Sequence, residues 1–151
     1  MWPTASGKSQ ESRDPVGKSC GEKMPIKHRI DKTRGLVFTT AQGVFTEQDI
    51  RTLRQRLRED SDFDPNYDHI IDLREVVEFE ITTAEMQTIS NHGYIFNEGC
   101  REAIVAERDI GFAMARMYEM LRGSKSGEIK VFRDMAEARR WLGPDQATNL
   151  S

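Results

Sequence analysis

Three short strings in this chain could do chemistry: Asp72-Leu73-Arg74, Glu107-Arg108-Asp109 and Arg133-Asp134. Each closes an apolar, strand-like run and sets an arginine beside at least one carboxylate. An arginine fork matches the oxygens of a phosphate or carboxylate two at a time. Ligands of open parallel sheets bind beyond the carboxyl ends of the strands, where helix N-termini converge. If the three runs lie side by side, Arg74, Arg108 and Arg133 gather on one rim. They would then capture an anionic group, aided by free N–H groups at the helix starts. A second reading stays open: each arginine neutralises its own neighbouring aspartate, and Asp109 and Asp134 are helix caps.

Thr82 and Thr83 stand at a helix start, where a phosphoryl group would gain from the helix dipole and a nearby arginine. Capping alone also accounts for Thr82. Met86, Met114, Met117 and Met120 could line an adaptable apolar pocket between the second and third helices, or simply pack as core. Phe112 falls roughly opposite the apolar stripe expected for its helix, which fits a binding surface at the rim or packing under the Gly99 or Gly123 loops.

Catalytic sets are missing from the string of residues. His28, His69 and His92 lack metal-ligand spacing with cysteine or carboxylate, so no metal site is expected. No Gly-x-Ser-x-Gly elbow occurs. Cys100 precedes a strand rather than a helix and reads as a buried thiol. Asp72 and Glu107 could share acid–base work only by their position. Gly7-Lys8-Ser9 and Gly17-Lys18-Ser19 have Trp2 and Ser12 where a phosphate loop needs glycine, and neither follows a strand.

The elements that must position these residues follow in regular order. Residues Met1–Lys23 are rich in Ser, Gly, Lys and Pro and read as a disordered tail, with Met24 a candidate translation start. Ile26–Ile30 and Leu36–Thr40 form a hairpin. Thr46 with Asp49 opens a first helix with Ile50, Leu53 and Leu57 inward and Arg51, Arg54, Arg56 and Arg58 pointing elsewhere. The strand ending at Asp72 leads through an irregular crossing, Val76 to Ile81, into a helix capped by Thr82 and Glu85. Its stripe is Met86, Ile89, Gly93 and Phe96. Glu102–Ala106 is a strand, and Asp109 caps a third helix burying Ile110, Ala113, Met114, Met117 and Leu121. Glu128–Phe132 is the last strand, and Asp134 caps a helix burying Ala138, Trp141 and Leu142. The order ββαβαβαβα predicts one α/β domain over 24–143, with a mostly parallel five-stranded sheet, an antiparallel N-terminal hairpin strand, and a short tail from 144 to 151.

Size and charge narrow the function. The 151 residues carry a net charge of -3, which supplies no basic field for nucleic acid. No window approaches the ~18 apolar residues of a membrane helix, and no secretory signal opens the chain. Two cysteines do not make a disulfide scaffold, so a reducing cytoplasm is expected.

The strings Ile70-Ile71-Asp72-Leu73-Arg74 through Thr83, Ala103-Ile104-Val105-Ala106, Gly111 to Tyr118, and Val131-Phe132-Arg133-Asp134 with Glu137-Ala138 and Trp141-Leu142 resemble one group. It is the STAS-like, SpoIIAA-like domains, similar to anti-sigma-factor antagonists and including a lipid-carrier-like branch. In the antagonists a strand-end aspartate leads to Asp-Ser-Ser-Gly, whose second serine is phosphorylated. An ungapped match puts Asp72 on that strand end, Glu80 on the acidic position and Thr82 on the modified serine. Ile81 replaces the first serine and Thr83 the glycine. The resemblance implies this fold and a non-enzymatic module without cofactor. Its partner would be a protein or a small apolar or anionic ligand bound at Asp72, Arg74, Thr82, Arg108, Phe112 and Arg133. Thr82 is the phosphorylation candidate, and the reading leaves room for a homodimer.

Overall fold

The computed structural model describes residues 25–123 and 127–143; the expected tails and Met24 lie outside them. Nine elements appear in the expected order: β1 (Ile26–Asp31), β2 (Leu36–Thr46), α1 (Glu47–Glu59), β3 (Asp68–Glu80), α2 (Thr83–Asn91), β4 (Arg101–Val105), α3 (Asp109–Arg122), β5 (Glu128–Phe132) and α4 (Met135–Leu142). β1 and β2 pair antiparallel around a turn that Gly35 closes at φ 64, a left-handed conformation that favours glycine. β2, β3, β4 and β5 are parallel, in the sheet order β1-β2-β3-β4-β5.

That order decides the layers. Every parallel connection steps the same way across the sheet, so right-handed crossovers set α1, α2 and α3 on one face. α4 packs on β3, β4 and β5 from the other face. Strand alternation divides the core accordingly. Val37, Leu73, Ile104 and Val131 pack beneath α1–α3, while Leu36, Ile70, Val105 and Phe132 pack beneath α4.

Four expectations need correction. The segment from Val76 is no irregular crossing: β3 runs on to Glu80 because β2 also continues, pairing with it to Thr46 through two register shifts. α2 stops at Asn91, so Gly93 and Phe96 lie past it; Phe96 is still buried, delivered by the following loop. α3 buries Gly111, Ala115, Tyr118 and Arg122, whereas Ile110 is 54% exposed and Ala113 is exposed. The apolar stripe misleads there because Tyr118 and Arg122 find polar partners inside the protein. Asp109 is the first residue of that helix and not its cap; Arg108 holds the N-cap position without a side-chain hydrogen bond.

Candidate functional site

β4 and β5 end side by side at Val105 and Phe132, but β3 does not end with them: it continues to Glu80, so the expected three-strand rim is the carboxyl edge of β4 and β5 beside mid-strand Asp72–Arg74. Its guanidiniums are already engaged. Arg74 donates from Nε to Asp72 Oδ1 at 2.9 Å and from Nη2 to Oδ2 at 2.9 Å, a bidentate pair. The bond to Asp72 raises the pKa of Arg74 further. Arg133 pairs with Asp109 at 2.9 Å, donates to the Glu107 carbonyl at 3.0 Å, and stacks 4.3 Å from the Phe112 ring centroid. Arg133 and Phe112 thus meet Asp109 at the start of α3, whose N-cap is the exposed Arg108, whereas Asp72 and Arg74 form a separate pair on the α4 side of β3. Thr82 follows the far end of the long β3. Its hydroxyl accepts from the Glu85 N–H at 3.1 Å, while Glu85 accepts from the Thr82 N–H at 2.9 Å.

The opposite resource is a cavity of about 80 Å³ between the sheet and α1–α3. Its wall is nearly all hydrocarbon, including Phe45, Leu53, Ile71, Met86 and Met114. Of the methionines expected in a pocket, Met86 and Met114 line it, Met117 is half-buried, and Met120 is 70% exposed. The half-buried liners Ile50, Phe79, Ile81 and Met114 lie near the N-terminal ends of the three helices.

Ionisable groups close the floor. Glu102, 3% exposed, accepts from the Tyr94 hydroxyl at 3.1 Å and stands 3.2 Å from His69 Nδ1 in an oblique approach. Burial alone would raise the pKa of Glu102; His69, Tyr94 and the Arg54 charge outweigh it and hold the carboxyl below its usual value. Arg54 donates to the carbonyls of Ile89 and His92 and to the Tyr118 hydroxyl. Arg122 lies 3.7 Å from the Tyr94 ring centroid and donates to the Ser90 carbonyl. Two buried arginines therefore tie the end of α2 to α1 and α3. Burial pushes the phenol pKa values of Tyr94 and Tyr118 far up, so both keep their protons.

Thr39 Oγ1 lies 2.8 Å from His69 Nε2, giving a hydroxyl–imidazole–carboxylate series across β2, β3 and β4. That series is the order of a nucleophilic triad. Thr39 is 0% exposed and does not line the cavity, so no substrate atom reaches its hydroxyl in this conformation. The Thr39–His69 bond satisfies a buried hydroxyl, and Glu102 faces the other ring nitrogen without a hydrogen bond to it. Cys100 is also buried, its thiol 3.2 Å from the Pro65 carbonyl, and burial raises its pKa away from the reactive thiolate. Among the described residues no group of His, Cys, Asp and Glu could hold a metal, and no helix is long and apolar enough to cross a membrane.

No protein-family model matches the sequence, and the search of curated proteins finds no match. Among solved structures, the chain is similar to an uncharacterized protein of the DUF3478 family from Shewanella loihica PV-4, described as having a SpoIIAA-like fold. The TM-score is 0.53 and the identity 20%, covering 83% of this chain and 99% of that one. The fold is SpoIIAA-like. The resemblance read from the sequence therefore holds for architecture, and at this identity it carries nothing about chemistry.

Within this SpoIIAA-like fold, Arg54, Tyr94, Glu102 and Tyr118 form a largely buried polar group that none of the motifs in the sequence announces. Arg54 was expected to point away from the core, yet it is 8% exposed. A signal existed: Ile50, Arg54 and Leu57 share the i, i+4, i+7 face of α1. Glu102 shares the inward phase of its strand with Ile104, and His69 shares that of Ile71. Polar residue type overrode periodicity in each case.

Proposed function

We propose that this SpoIIAA-like protein is a non-catalytic cytoplasmic binding module that holds an apolar ligand in the cavity beneath α1–α3, as a carrier or sensor. The observation that carries the proposal is the hydrocarbon wall around an unfilled space of about 80 Å³. Interiors are normally packed to crystal density, and a void lined by apolar groups favours an apolar guest over water. The polar floor offers no free proton or nucleophile to a guest. The half-buried liners Ile50, Phe79, Ile81 and Met114 are the residues through which a guest would enter. The space takes a short alkyl segment or small ring; a longer chain needs α2 to move aside.

The test is solvent extraction and mass spectrometry of the purified protein, with displacement of a bound hydrophobic fluorophore. An apolar compound should co-purify. Ala115→Leu, which fills the cavity from α3, should exclude it while leaving or raising the melting temperature, since filling gains about 0.5–2 kcal/mol. Protein free of ligand that also fails to bind the fluorophore would refute the proposal.

A second reading, a protein partner docked at the rim, is favoured by Ile110, 54% exposed beside the exposed Arg108. Arg108→Glu with Ile110→Asp should abolish capture of that partner without changing the melting temperature. Unchanged capture would sink this reading and leave the cavity untouched.

A further inference from the structure

Among the described residues only α4 covers its face of the sheet, packing on β3, β4 and β5, because the three crossovers place α1–α3 on the opposite side. Strand alternation turns Lys27 and Arg29 of β1, Phe38 and Thr40 of β2, and Asp72 of β3 toward this face. Arg29 pairs in register with Phe38, and Thr40 with Asp72. The Arg29 guanidinium lies 4.9 Å from the Phe38 ring centroid. Arg139 projects from α4 next to Ala138, which is wholly buried. Its Nε is closed to solvent and has no hydrogen-bond partner.

We infer that Arg29 and Arg139, beside the Asp72–Arg74 pair, form a binding site for a phosphate-type anion on this face. Among the described residues neither Arg29 nor Arg139 has an ion pair or a side-chain hydrogen bond. The nearby carboxylate, Asp72, is taken up by both prongs of Arg74. Burial first, then the charges of Arg74 and Arg29, lower the pKa of Arg139, and Asp72 acts against them. Three guanidiniums on this side face one carboxylate, Asp72, which Arg74 already engages, and a buried donor without an acceptor is costly. An anion relieves both. A phosphate group fits best, because its oxygens accept from two planar forks at once. The exposed Arg29 fork lies against the Phe38 ring, and Arg139 is half-buried beside Ala138. The site lies across the sheet from the cavity and stands whether or not the cavity holds a ligand.

Two sources share this chemistry, a free phosphomonoester and a lipid headgroup. The full chain would be titrated at low ionic strength with inorganic phosphate and with glycerol phosphate. In parallel it would be floated with phosphatidylcholine vesicles, with and without phosphatidic acid. We expect saturable binding that weakens about tenfold in Arg139→Gln and in Arg29→Gln. Phosphate should raise the melting temperature of the parent protein and not of Arg139→Gln. Without phosphate, Arg139→Gln should melt at the same temperature or higher, since a like-charge neighbour is gone; a purely structural arginine would show a fall. Binding of the soluble esters assigns a free phosphomonoester, and binding of phosphatidic acid vesicles alone assigns a headgroup. No saturable binding in either arm, or equal binding by both variants, overturns the inference.

Discussion

Protonating Glu102 would take from Tyr94 its charged acceptor and from His69 the carboxylate it faces. Its folded-state pKa lies below the usual value of 4.5, so its stabilising contribution is present above that pH and is lost as the pH falls through the lower, folded value. Thermal unfolding followed from about pH 7 to about pH 3 should show a steep loss of stability below about pH 4.5. In Glu102→Gln the slope should flatten. At neutral pH the variant should lose about 1–3 kcal/mol, because His69 and Arg54 then face an uncharged amide inside the protein. Equal slopes for the two proteins would mean that Glu102 is not the titrating group. The residue scale was also where sequence reading was weakest. Asp72 and Arg74 were legible as a neighbouring pair, and they do bond to each other. The partners of Glu102 come from β3 and the loop after α2, at separations no local pattern displays.

Helix starts were legible because capping is local. Thr46 with Asp49 and Thr82 with Glu85 close the reciprocal boxes that their spacing predicts. Thr82→Ala should cost about 1 kcal/mol, and Thr82→Asp, which keeps an acceptor at the cap, should recover most of it. Urea unfolding of the three proteins checks this; a fully stable Thr82→Ala would deny the cap its role. The same pair bears on phosphorylation. Thr82 is exposed, so a modification enzyme can reach it, and partner binding sensitive to Thr82→Asp but not to the cap loss of Thr82→Ala would mark a switch. Element ends were less legible. β3 outran its expected length because its partner is β2, whose own continuation through Gly43, at φ 75, cannot be inferred from β3. Gly127 sets a sharper limit at the start of β5. A Cβ there would stand 2.1 Å from the Cys100 carbonyl oxygen, at φ 54. Gly127→Ala should therefore destabilise by about 2–4 kcal/mol, read as a lower midpoint in the same unfolding experiment.

Stability across the whole molecule should be graded. β3 and β4 occupy the sheet centre, covered by helices on both faces, and Ile70, Ala103 and Val105 are 0% exposed. Their amides should exchange only on global unfolding. The first turn of α2, exposed from Thr82 to Ala84, should exchange soonest of the helical amides, consistent with α2 moving aside for a ligand. Hydrogen-exchange mass spectrometry would check the ranking; slow exchange in α2 equal to that of β4 would argue against a mobile entrance.

The ββαβαβαβα order, the hairpin and the caps followed from the sequence alone, because each depends on residues within a few positions of one another. The SpoIIAA-like architecture follows once right-handed crossovers are added to that order. Tertiary structure alone decided that Arg54 and Glu102 lie under a hydrocarbon cavity, and that Arg29 and Arg139 belong to the same face of the sheet. Those outcomes depend on which strands become neighbours and on how side-chain volumes and charges add up across the layers, and neither quantity is written in local spacing.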